Sequence, residues 1–164
     1  MAVQKNIQKK LIPKDALYLV LPNIRSLHNL GSIFRTADAA GVSKIILTGY
    51  TGDPQDPKAA KVALGAEQWV KWERRVYTAP VLKKLKKQGF DIIALERTAK
   101  SIDFRKFKPR FPVAVVLGNE VDGIKDGWQN LADAIVHLPM RGMKESLNVS
   151  VAWGVFAYAL RFGL

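Results

Sequence analysis

The chain has 164 residues, enough for one compact domain with little room for a second, and 48% of them are hydrophobic, which argues against global disorder. Its 26 Lys and Arg against 14 Asp and Glu give a formal charge of +12, which points to a polyanionic partner, RNA or DNA before a membrane. With no cysteine, and His28 and His137 far apart, a disulfide scaffold, thiol catalysis and Cys-ligated zinc are excluded and no metal site is expected.

Residues 1–15 read as a basic arm, with Lys5, Lys9, Lys10 and Lys14. MAVQKNIQKK has no apolar stretch of signal-peptide type, and the longest apolar segment, at the C-terminus, is short for a membrane span. The expectation is a cytoplasmic protein without a membrane anchor. Residues 16–164 read as a single domain.

Ala16–Leu21 is a continuous apolar run of strand length, stopped by Pro22. Leu30, Ile33, Phe34, Ala37 and Ala40 recur at helical spacing over Asn29–Ala40, ended by Gly41. Lys44–Gly49 reads as a strand, GDPQDP as a turn, Lys58–Gln68 as a helix and Trp69–Arg75 as a short strand. Pro80–Gln88 is a helix with a lysine-rich face, Asp91–Leu95 a strand, and Arg97–Phe111 a basic connector. Val113–Gly118 is the most apolar strand. A short helix, the strand Ala134–Leu138, a polar turn over Met140–Ser146 and a final helix follow. Continuous apolar strands alternating with helices predict an α/β fold: a mostly parallel sheet with helices on both faces.

In such folds ligands bind at the carboxyl ends of the strands. Nucleotide signatures fail there: no G-x-G-x-x-G occurs, and Gly118 and Gly123 have Walker-type spacing but Ile124 stands where the lysine is needed. No G-x-S-x-G occurs either. What remains at three strand-end turns is a polar set: Asn29, Arg35, Glu120, Ser146 and Asn148. Each alone has a simpler reading. Asn29 can cap the helix it precedes, Glu120 the helix after it, Ser146 or Asn148 the last one, and Arg35 can lie on a solvent face. The set is harder to dismiss, because the fold is expected to bring all five to one edge of the sheet.

Three segments carry a resemblance. HNLGSIFRTADAAGVSKIIL (28–47) holds Asn-x-Gly-x-x-x-Arg, VVLGNEVDGI (115–124) holds Leu-Gly-Asn-Glu, and VHLPMRGMKESLNVSVAWGVFAYAL (136–160) holds Pro-Met and Glu-Ser-Leu-Asn-Val-Ser. In this order they resemble the SpoU/TrmH group of SPOUT RNA methyltransferases. Val121 and Asp122 depart from the Gly and Glu of many members. The resemblance implies a C-terminal trefoil knot, which general topology rules would not suggest. It also implies S-adenosyl-L-methionine held mostly by backbone, against Leu95, Gly118, Leu138, Met140, Ser146 and Leu147. The implied reaction is methyl transfer to a ribose 2′-OH of RNA, with Arg35 at the ribose and Asn29, Glu120, Ser146 and Asn148 around it. Transfer RNA is favoured over ribosomal RNA; a non-catalytic RNA-binding protein on the same fold is the alternative. The last helix, apolar nearly all round, fits the group's homodimer.

Overall fold

Among the described residues seven strands pair in one sheet, and every pairing of those strands is parallel. The structure, a computed structural model, describes residues 12–163. Most of the basic arm, including Lys5, Lys9 and Lys10, lies outside those residues. The strands are β1 (Leu17–Pro22), β2 (Lys44–Thr48), β3 (Trp72–Arg75), β4 (Asp91–Leu95), β5 (Ile102–Asp103), β6 (Val113–Leu117) and β7 (Ala134–His137), in the order β3-β2-β1-β6-β4-β7-β5. The helices are α1 (Leu27–Ala39), α2 (Pro57–Ala63), α3 (Ala66–Trp69), α4 (Thr78–Lys87), α5 (Asp126–Gln129) and α6 (Val149–Phe162).

Two apolar layers explain the unbroken hydrophobic strands. On one face Leu17, Leu19, Ile45, Leu47, Val113 and Val115 meet α1, α2, α3 and α6. On the other, Val20, Ile46, Ile92, Ala114 and Val116 meet α4 and the residues around α5. All five residues of β6 are buried, as a central parallel strand requires.

The helix read over Lys58–Gln68 is two helices. Leu64 and Gly65 both take positive φ (52° and 90°), which ends α2 and turns the chain into α3. Trp69 closes α3 and is exposed, so β3 starts only at Trp72. The basic connector contains β5, two residues paired with the end of β7. A strand so short and polar leaves no periodic signal.

Helix α1 is capped by Ser26, whose Oγ accepts from the Asn29 N–H at 3.2 Å. Helix α6 is capped by Asn148. The two helices run side by side in the same direction: Asn148 touches Asn29 at one end, and Arg161 grips the other. Arg161 donates to the carbonyls of Ala40 (2.8 Å), Gly41 (2.7 Å) and Asp15 (3.0 Å), using a planar fork on the open end of α1.

Helix α2 lies so close to α1 that only glycine fits at position 31. A Cβ there would meet the Ala59 carbonyl and come within 2.8 Å of Val62 Cβ. Gly31→Ala therefore lowers stability by roughly 1–3 kcal/mol through overpacking, read as a fall in the urea midpoint. An unchanged midpoint would mean that α2 shifts without cost.

Candidate active site

Beyond the carboxyl ends of β4, β6 and β7 lies a cavity of about 900 Å³. Its walls come from three loops: Glu96–Ala99 after β4, Gly118–Gly123 after β6, and Leu138–Asn148 after β7. Leu95, Leu138, Leu147 and Met140 supply apolar surface, and the loops supply backbone. Residues 138–147 form no backbone–backbone hydrogen bond; one carbonyl there, that of Glu145, accepts from Arg97 Nη1 at 3.4 Å. Their amides and carbonyls otherwise remain available to a ligand.

The loop after β6 is closed on itself. Asn119 Oδ1 accepts from the Val121 and Asp122 amides at 2.8 and 2.6 Å, and the Gly123 N–H returns to the Asn119 carbonyl at 3.2 Å. A Cβ at Gly118 would stand 2.6 Å from the Gly123 carbonyl carbon, so this fold-back needs glycine there. Glu96 fastens the loop from outside, accepting from the Ile124 and Arg97 amides at 2.9 Å each.

Of the ten residues that the sequence singles out, eight line this cavity: Leu95, Gly118, Glu120, Leu138, Met140, Ser146, Leu147 and Asn148. Asn29 and Arg35 do not. Asn29 is buried behind the wall and joins two of its parts. Its Nδ2 donates to Glu120 Oε1 at 3.0 Å, and its Oδ1 accepts from Asn148 Nδ2 at 3.0 Å. Arg35 is exposed on α1 and enters no hydrogen bond or ion pair among the described residues.

Two of the simpler readings change. Ser26, not Asn29, caps α1; Asn29 sits in its first turn. Glu120 caps nothing downstream, since α5 begins at Asp126; it accepts instead from the Ser26 N–H at 3.4 Å. The cap on α6 falls to Asn148, whose Oδ1 takes the Ser150 and Val151 amides at 2.9 and 3.4 Å, while Ser146 is free for the cavity.

Sequence reasoning missed Glu96, Asn119 and His137 in the lining. Glu96 directly follows a strand, and the strand-end rule alone would have found it. His137 Nδ1 lies 2.9 Å from Ser101 Oγ, whose proton goes to the Thr98 carbonyl at 2.7 Å, so Nδ1 is the donor. Beside it the Arg105 guanidinium holds the Asp103 carboxyl well below the usual carboxylate range. Near the mouth, Arg25 stacks over the Tyr50 ring at 4.9 Å and donates to its hydroxyl at 3.2 Å, and that hydrogen bond raises the guanidinium pKa. Among the described residues no group of three or more His, Asp or Glu could hold a metal.

Asn148→Ala removes a cap and strands the buried Asn29 carbonyl. It costs more than Ser26→Ala, which removes a cap alone at about 1 kcal/mol. Urea unfolding of Asn29→Ala, Asn148→Ala and the double variant gives a coupling of about 0.5–3 kcal/mol. Strictly additive costs would show that the two amides do not act together.

Known proteins resemble this chain over most of its length. The profile of the SpoU rRNA Methylase family matches residues 16–158. A tRNA (guanosine(18)-2′-O)-methyltransferase of Aquifex aeolicus is 34% identical over 87% of this chain and 67% of its own length. A 23S rRNA (guanosine-2′-O-)-methyltransferase of Vibrio parahaemolyticus is 37% identical over 85% of this chain and 56% of its own. The structure of an AdoMet-bound rRNA methyltransferase from Sinorhizobium meliloti superposes with a TM-score of 0.86 and 32% identity, over 92% of this chain and 57% of that one. The chain thus spans between about half and two thirds of these relatives. Parallel sheet, strand-end loops and sequence all agree, and the chain belongs to the SpoU rRNA Methylase family.

Proposed function

We propose that the protein transfers the methyl group of S-adenosylmethionine to a ribose 2′-OH of RNA, with transfer RNA before ribosomal RNA as substrate. The observation that carries this is the cavity at the carboxyl edge. A volume of about 900 Å³ lies within the roughly 300–1,000 Å³ of small-molecule sites. Apolar walls with unpaired backbone amides and carbonyls suit a purine nucleoside, which is apolar on its faces and hydrogen-bonding at its edge. The names of the Aquifex and Vibrio relatives and the bound AdoMet of the Sinorhizobium protein point the same way.

Leu95, Gly118, Leu138, Met140, Ser146 and Leu147 would hold S-adenosylmethionine, which supplies a methyl already activated on a sulfonium. No metal is then required. The protein's task is alignment, which contributes up to about 7–11 kcal/mol, and help with the hydroxyl proton, typically about 10²–10⁴-fold. Ser146 and Asn148 face the reacting ribose from the cavity wall, and Glu120, held by Asn29, shapes its rim. Arg35 grips the adjoining phosphate through its two-pronged guanidinium and stabilises the developing oxyanion. A guanidinium hardly deprotonates, so the proton leaves through phosphate or water.

The reading extends to the whole chain. Residues 16–164 form one methyltransferase domain behind a basic arm at 1–15, acting in the cytoplasm. Its C-terminal segment is threaded as a trefoil knot. The protein is a homodimer: Val151, Val155, Tyr158 and Phe162, each at least 40% exposed, form a stripe at four-three-four spacing along α6. Stripes of this spacing pack against another helix.

Incubation with methyl-labelled S-adenosylmethionine and RNA, then nucleoside analysis, yields a labelled 2′-O-methylnucleoside; label on a base overturns the reading. Arg35→Ala keeps cofactor affinity and loses turnover, and Arg35→Lys also loses most of it because charge remains without the fork. Full activity in Arg35→Ala would remove Arg35 from the mechanism. Val155→Lys converts the dimer to monomer by light scattering at micromolar concentration, and a wild-type monomer there would refute the dimer.

A further inference from the structure

A second depression, of about 680 Å³, lies between the start of α1 and the side of α2. It is lined by Arg25, Leu27, His28, Lys58, Lys61 and Val62, with no acid among them. The close approach allowed by Gly31 brings α2 here. Lys58 and Lys61, three residues apart, share one side of that helix. Arg35 stands seven residues after His28, nearly two full turns, so both lie on one exposed face of α1.

Five basic residues elsewhere are balanced by an ion pair, and among the described residues others on the surface, such as Lys83 and Lys84, are not. Lys44, Arg75, Lys86, Arg105 and Arg110 are in ion pairs with Glu73, Asp133, Asp103 or Asp91, while no groove cation forms one among the described residues. The nearby Asp56 caps α2, its Oδ1 accepting from the Lys58 amide at 2.8 Å, and forms no ion pair with a groove cation among the described residues. The groove also adjoins the cavity: Ser26, next to Arg25, bonds Glu120 of the cavity wall.

We propose that this groove holds the sugar-phosphate backbone of the substrate next to the reacting nucleotide, with Lys58 and Lys61 each contacting a phosphate. The assignment rests on RNA being the substrate. A row of unpaired cations on apolar floor residues suits a polyanionic strand and carries no base specificity.

The test is a salt titration of the full-length protein with a fluorescein-labelled oligouridylate of about 12 nucleotides, read by anisotropy. Lys58→Gln with Lys61→Gln weakens binding and reduces the log–log salt slope by about 1.4, at about 0.7 per phosphate contact of a single strand. Lys83→Gln with Lys84→Gln, on α4 across the sheet, leaves the slope unchanged. Lys58→Arg with Lys61→Arg keeps the wild-type slope, because a phosphate reads the charge. S-adenosylmethionine binding, measured by calorimetry, stays the same in all three. An unchanged slope in the groove pair, an equal fall in the α4 pair, or a low slope in the arginine pair overturns the proposal. A protein that methylates no RNA, yet shows the fall only in the groove pair, would fail as a 2′-O-methyltransferase and keep the groove.

Discussion

The carboxyl edge of the sheet depends on one chain of side-chain hydrogen bonds, Asn148 to Asn29 to Glu120, and its direction is forced. The first amides of α6 need an acceptor, so Asn148 presents Oδ1 to them and must turn Nδ2 outward. Asn29 receives that donor on Oδ1, which leaves its own Nδ2 to donate. Glu120 Oε1 accepts, and closes the chain. Each amide has two orientations, but one alone satisfies all three residues. Sequence separations of 91 and 119 make this a tertiary lock between the β1–α1 turn, the β6 loop and the start of α6. Asn29 is 7% exposed, so an unmatched amide there would cost about 1–3 kcal/mol.

That lock accounts for where the cavity is and why it persists. The loop before α6 has no backbone pairing of its own to hold it. It is fixed instead at its ends, by β7 on one side and by Asn148 on the other. Between these anchors the backbone keeps donors and acceptors unspent, as a site that reads a ligand through main chain requires. The β6 loop is the opposite case: Asn119, Glu96 and the Gly118–Gly123 contact consume its polar groups and make it a rigid wall.

The strands were legible because they are buried on both faces; their boundaries move by no more than a residue or two, except β3. Where conformation depends on one or two residues, the pattern fails. Leu64 in a left-handed conformation is not what an apolar helical period suggests, and β5 exists only because β7 offers it an edge. The site divides the same way. Asn29, Arg35, Glu120, Ser146 and Asn148 are conspicuous as polar residues at strand ends. Leu95, Leu138 and Leu147 are ordinary apolar residues, and only their resemblance to a family singled them out. Asn29 looked like a cap because a helix start is a local feature, whereas its partners are far away in the chain. Arg161 gives no local signal for the same reason: the carbonyls it binds belong to the C-terminal cap of α1 and to Asp15.

The parallel course of α1 and α6 has an electrostatic consequence at this edge. Their first turns meet at Asn29 and Asn148, and their last turns meet at Arg161. Both therefore aim positive N-terminal dipole ends at the same place, each worth about 0.3–1 kcal/mol toward an anion. At the opposite ends the carbonyls of Ala40 and Gly41 are covered by the Arg161 cation, whereas at the site's pole the caps Ser26 and Asn148 are neutral. Of the carboxylates at this edge, Glu120 is engaged by Asn29 and the Ser26 amide through Oε1. The edge is thus biased toward anions by backbone geometry alone, before Arg35 or any lysine is counted. Any anion arriving there meets a field set by the fold, which surface substitutions leave in place.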